Sequence, residues 1–175
     1  MIRLAVLLAL ILLAAGCRDE TAATRPPAVT LDADALGHFC QMNLVEHPGP
    51  KAQIHLAGIA HPIFFSQVRD AIAYLRMPEQ SAGIRAIYVN DMAAAPSWNE
   101  PGRDNWIAAE GAFFVIGSNR VGGMGAPEIV PFGSRAGADA FAARFGGHVA
   151  GLTDIPDEAV LAPVEIGAAP APAEG

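Results

Sequence analysis

Two stretches of this chain repeat one local plan, and that repetition constrains the fold more than any other feature. Residues 62–75, "PIFFSQVRDAIAYL", and residues 129–145, "IVPFGSRAGADAFAARF", each run from a Phe-ended strand through a serine into a helix. In the first, Val68, Ala71, Ile72 and Leu75 follow the i, i+3, i+4, i+7 spacing of one helical face, Ser66 is placed to cap it and Pro78 to stop it. In the second, Ala138, Phe141, Ala142 and Phe145 carry the spacing, Ser134 is the cap, and Gly146-Gly147 ends the helix. "KAQIHLAG", "HPIFF" and "IRAIYV" read as the three strands of the first unit, and "NWIAA", "AFFVIGS" and "EIVPF" as strands of the second. The expectation is an α+β fold of two similar ββαβ units packed together, over 35–98 and 99–160. Such halves bury their apolar faces against each other, and ligand sites favour the junction.

The first 16 residues, "MIRLAVLLALILLAAG", set Arg3 ahead of an apolar run from Leu4 to Leu13, too short to span a membrane and stay there. This is a secretory leader, and Ala15-Gly16-Cys17 after it resembles a bacterial lipobox in which Cys17 is lipidated. The competing account is ordinary cleavage near Ala15. Acyl chains on Cys17 hold a protein to a membrane surface outside the cytoplasm, in the periplasm. Residues 17–34 then read as a lipidated flexible tether, and residues 161–175, rich in Ala and Pro, as a disordered tail. The chain carries −7, and loss of the leader with its single Arg takes this to −8, which argues against nucleic acid as a partner. Solubility and steering toward a basic partner are both accounts of that charge.

There are two cysteines, so a lipidated Cys17 leaves Cys40 without an intramolecular partner in an oxidising compartment. Three accounts are open for it: a buried inert thiol, an intermolecular disulfide, or a thiolate held by a metal. In "GHFCQM" an extended backbone puts Cys40 and Met42 on one side, and a thiolate beside a thioether selects Cu(I) over harder divalent ions. His38, two residues before Cys40, shares that side and is the candidate supporting ligand. His61 ranks below it, His47 and His55 read as surface or hydrogen-bonded residues, and His148 as serving a helix end. A third sulfur is offered by Met124 in "VGGMGAPE", where the glycines mark a turn-rich loop rather than an apolar face. A gap-filling role for Met124 is the other account. Neither a Cys-x-x-Cys pair nor a second free thiol is present, so a thiol–disulfide carrier and a mercurial-lyase type of enzyme are both disfavoured, and the chain is expected not to be an enzyme.

The leader, "LGHFCQMNLVEHPGPKAQIHLAG", "FFSQVRDAIAYLRMPEQ", "IYVNDM" and "FFVIGSNRVGGMGAPEIVPF" together resemble the NosL family, over nearly the whole chain to Gly147. The resemblance implies paired ββαβ units similar to the organomercurial lyase core. It also implies a periplasmic lipid-anchored copper chaperone, with Cu(I) bound by Cys40, Met42 and Met124. Its implied partners are nitrous oxide reductase and the membrane-bound maturation complex of that enzyme. Many relatives carry Cys-x-x-Cys-Gly-Met, and here Gly37 stands where their first Cys falls, which counts against any role that needs two thiols. The alternative is a metal-independent periplasmic lipoprotein of the same pathway that binds protein in the groove between the units.

Overall fold

The computed structural model describes residues 25–164. The leader, the Cys17 lipidation site, the start of the tether and the tail beyond 164 lie outside them. Among the described residues, seven strands and three α-helices run β1 Ala52–Leu56, β2 Ile63–Phe65, α1 Val68–Arg76, β3 Ile84–Asn90, β4 Trp106–Ala108, β5 Phe113–Ile116, β6 Val130–Phe132, α2 Arg135–Phe145, β7 His148–Ala150 and α3 Asp157–Leu161. They form two antiparallel sheets, ordered β2-β1-β3-β4 and β6-β5-β7. The shared order is the duplication: in each half the first strand is central, the hairpin partner lies on one side, and the strand after the helix returns to the other.

Strand alternation and helical spacing explain how the halves close on each other. On β1, Ala52, Ile54 and Leu56 enter the main core, as do Ile87 and Val89 from β3 and Phe114 and Ile116 from β5. Val68, Ala71 and Ile72 of α1 join them, so the anticipated helical face is the buried one. Val115 of β5 points the other way, into a smaller cluster with Val130, Phe132 and Ala138 under α2. Phe65 and Phe114, each essentially inaccessible, contribute about 1.5–3 kcal/mol apiece by burial. Ser134 does cap α2, accepting from the Gly137 N–H, and Gly146 and Gly147 leave it at φ 78° and 91°.

Four expectations are corrected. Trp106–Ala108 pairs with β3, Tyr88 opposite Ala108, and so extends the first sheet instead of opening the second unit; periodicity marks a strand but not its partner. His148 is not a helix-end residue: it sits in β7 opposite Ile116. Ser66 does not cap α1, because Gln67 holds the N-cap position and makes no cap bond with its side chain. Parts of the presumed tether and tail are packed. Gln53 exchanges hydrogen bonds with the Val29 backbone, Tyr88 donates to the Pro26 carbonyl, and Arg69 donates to the Ala162 carbonyl. A β1 face bearing Gln53 and His55 needs a polar cover, and residues 25–31 supply it. Among the described residues no helix is long and apolar enough to cross a membrane.

Candidate metal centre

Cys40 lies on a tight turn attached to the β2 edge of the first sheet. Leu36 bridges to Asn43, Gly37 bridges to Phe64, and the His38 N–H donates to the Phe64 carbonyl at 2.6 Å. The turn closes by Gly37 N–H to the Met42 carbonyl at 3.0 Å and Gln41 N–H to the Gly37 carbonyl at 2.8 Å. Gln41 has φ 55°, unusual for a side chain with a Cβ, and its own amide braces it by donating to the His38 carbonyl at 2.8 Å. The extended-strand expectation for Cys40-Gln41-Met42 is therefore corrected, since a turn with a left-handed centre, not a pleat, relates the two sulfurs. A side chain at 37 would crowd the thiol, with its Cβ 2.5 Å from the Cys40 sulfur. Cys40 is half-buried, its Sγ 3.6 Å from Ser66 Oγ, while Met42 is 40% exposed. The His38 ring packs among Phe39, Phe65 and Tyr74, with centroids 5.3–5.6 Å apart.

The second sulfur-bearing segment is the tip of the β5–β6 hairpin. Val121 bridges to Pro127, Gly122 N–H donates to the Ala126 carbonyl, and Gly125 N–H to the Gly122 carbonyl, which sets Met124 at the apex. Its backbone N–H reaches across to the Gln67 Oε1 at 2.9 Å. Glycine is required beneath it: a Cβ on Gly123 would lie 2.6 Å from the His47 Cβ, and one on Gly122 would meet Gln67 and Glu128. The start of α1 thus collects both segments, Cys40 at Ser66 and Met124 at Gln67. No three His, Cys, Asp or Glu side chains among the described residues are grouped to hold a metal ion.

Two buried ionisable side chains brace this junction, and neither was expected. Lys51, the only lysine in the chain, is 1% exposed. Its ammonium donates to the carbonyls of His47, Pro48 and Gly49 at 2.8, 3.0 and 2.7 Å, and more weakly to that of Ser66 at 3.4 Å. Burial lowers Lys51 to about 8, and the negative charges of Glu128 and of a Cys40 thiolate oppose that shift. Glu128 is 1% exposed, and its Oε1 accepts from the Arg69 N–H at 3.1 Å and from its own neighbour's, Ile129, at 2.9 Å. The second half therefore caps α1 of the first. Oε2 has no hydrogen-bond partner among the described residues, and burial pushes the carboxyl up to about 8 against the pull of those two N–H groups.

The Glu128 proton makes stability depend on pH. The folded carboxyl keeps it up to about 8 and the unfolded one releases it near 4.5. In between, the native state binds the extra proton, so this contribution is complete below the unfolded value and is lost as pH rises through the folded one. Wild type should lose about 2–3 kcal/mol from this group between pH 5 and pH 7. Glu128→Gln, which retains an accepting oxygen, should lack the slope. Chemical denaturation of both proteins at the two pH values measures it, and parallel profiles would show that Glu128 is ionised in the fold.

A small α+β protein of two ββαβ halves, with a thiol-bearing turn from one and a methionine-tipped glycine loop from the other meeting at one helix start, is the class this architecture defines. Within it, the chain belongs to the NosL family, whose model matches residues 28–160. It is 55% identical over 170 residues to the copper-binding lipoprotein NosL of Achromobacter cycloclastes, covering 97% of this chain and 88% of that one. The copper-binding lipoprotein NosL of Stutzerimonas stutzeri is 31% identical over 159 residues, 90% and 80% of the respective chains. The crystal structure of the copper chaperone NosL from Shewanella denitrificans superposes with a TM-score of 0.69 at 32% identity, over 74% of this chain and 97% of that one.

Proposed function

We propose that this protein is a periplasmic, lipid-anchored carrier of Cu(I), not an enzyme, that delivers copper for assembly of the copper centre of nitrous oxide reductase. The relatives are named as copper-binding lipoproteins and as a copper chaperone. The observation that carries the reading is the meeting of the Cys40 turn and the Met124 loop at Ser66 and Gln67. Cys40, Met42 and Met124 are the proposed donors, with His38 a supporting group, and Cys17 is the proposed anchor.

A thiolate with two thioethers neutralises Cu(I), and soft donors hold it tightly against harder competitors. Three donors also leave room for an incoming ligand, so a recipient displaces the metal by stepwise exchange. Met42, the most exposed of the three at 40%, is where that exchange begins. The recipient would be nitrous oxide reductase or its membrane maturation complex.

Anaerobic titration against a chromophoric Cu(I) chelator tests the reading. One tightly held ion per monomer is expected, with Met42→Ala and Met124→Ala each weakening it by about tenfold, or about 1.4 kcal/mol. Unchanged affinity in both variants would remove the thioethers from the site. The second reading, metal-independent protein binding, is favoured by the exposed apolar side chains Leu36, Phe39 and Val45 beside Met42. Normal copper loading of the reductase in a copper-starved deletion strain would favour that reading and end the delivery role.

A further inference from the structure

We propose that Gln67 is the positioning residue of the methionine loop: its side-chain oxygen holds Met124 at the start of α1, beside the Cys40 turn, so that the two segments are preorganised before any metal arrives. The inference rests on the reading of Met124 as a donor.

Gln67 stands at the N-cap position of α1, where a polar side chain ordinarily turns back to its own helix, and it makes no such bond. Its polar end is committed elsewhere. Oε1 accepts the Met124 N–H across a separation of 57 residues, from one half of the duplication to the other. Burial raises the Asp70 carboxyl, a turn further into the helix, and the Gln67 amide works against that rise. An oxygen that accepts from a backbone N–H fixes which end of the amide faces the loop. Gln67 is 2% exposed, and in so dry a setting a lost partner is not replaced by water without cost.

The loop packs its glycines on the 47–49 segment, and Gln67 adds a hydrogen bond at its apex. Gly122, Gly123 and Gly125 give its backbone wide freedom, and Gly125 sits at φ 80°. Its internal bonds, Gly122 to Ala126 and Gly125 to Gly122, shape the tip without fixing where the tip points. Gly122 abuts Gln67 Oε1, since a Cβ there would come within 2.6 Å of it. Ser66, next in sequence, contacts the Cys40 thiol at 3.6 Å. The Ser66-Gln67 dipeptide therefore spaces the two sulfur-bearing segments. If only a fraction of molecules hold the loop in place, the apparent affinity falls by that fraction.

A double-mutant cycle on copper-loaded protein tests this, read as Cu(I) affinity by chelator competition, with the unfolding midpoint of each copper-free variant alongside. Gln67→Leu is expected to weaken Cu(I) by about tenfold when the loop is held about a tenth of the time. It should add nothing in a Met124→Ala background and keep its full effect in a Met42→Ala background. Rescue should follow in Gln67→Glu, which keeps an accepting oxygen. An effect of Gln67→Leu that is equal in both backgrounds overturns the proposal, because a merely structural residue weakens every donor alike. If Met124→Ala alone changes nothing, the donor reading fails instead, so the two failures are distinct. Amide exchange in copper-free wild type needs no variant: a Met124 N–H protected as in the strands supports the tether, and exchange at free-loop rates overturns it.

Discussion

Lys51→Met should lower the folding stability by about 3–5 kcal/mol, the range for removing one partner from a buried charged network. The methionine stem fills nearly the volume of the lysine stem, so packing is not what is lost. What disappears is the donor for the carbonyls of His47, Pro48 and Gly49, and for that of Ser66. Each is left to find water in a region where Lys51 itself is 1% exposed. Glu128, no longer facing a cation, becomes still harder to ionise. The 47–49 segment supports Gly122 and Gly123 of the methionine loop, so Cu(I) affinity should fall with stability. Denaturant unfolding should show a lower midpoint at unchanged slope. A loss below about 0.5 kcal/mol, the range of an ordinary surface change, would mean that the four carbonyls are satisfied without the ammonium.

Cys40→Ser should do the reverse, leaving the fold intact and abolishing tight copper binding. The thiol is half-buried on a surface turn, and its hydrogen bond to Ser66, at 3.6 Å, is weak. A serine hydroxyl keeps that bond, so copper-free stability should move by less than about 0.5 kcal/mol. As a metal ligand the exchange is drastic: a soft anionic donor becomes a hard neutral one, and Cu(I) keeps only thioethers. Affinity should fall by at least about 10³-fold, equivalent to about 4 kcal/mol. Chelator competition measures the loss, and sulfur-edge and copper-edge spectra should lose the thiolate signature. Wild-type affinity in this variant would exclude Cys40 as a ligand.

Much of the scaffold was legible because its signals are local. Val68, Ala71 and Ile72 face the core as their spacing requires, Ser134 caps α2, and Gly146 adopts the positive φ that ends it. Met124 lies at a loop apex because glycines surround it, and each half repeats the ββαβ order that the two strand–Ser–helix stretches announce. Where the expectation rested on strand parity it failed. Gly37 and Gln41 fold "GHFCQM" into a turn, and a left-handed residue between two sulfurs cannot be read from their separation by two. His38 likewise shares its surroundings with Phe65 and Tyr74, aromatic partners that sequence distance conceals.

By itself, the sequence determined the element types, the duplication and the sulfur atoms on offer, since each depends on residues within a turn or two of one another. Only the tertiary structure decided that Lys51 is buried, that Glu128 caps a helix 59 residues away, and that Gln67 rather than Ser66 reaches for the methionine loop. A buried polar group takes whatever partner the fold brings to it, because leaving it unpaired is costly. That partner is chosen by how the two halves pack, and packing leaves no mark on the neighbouring residues of the chain.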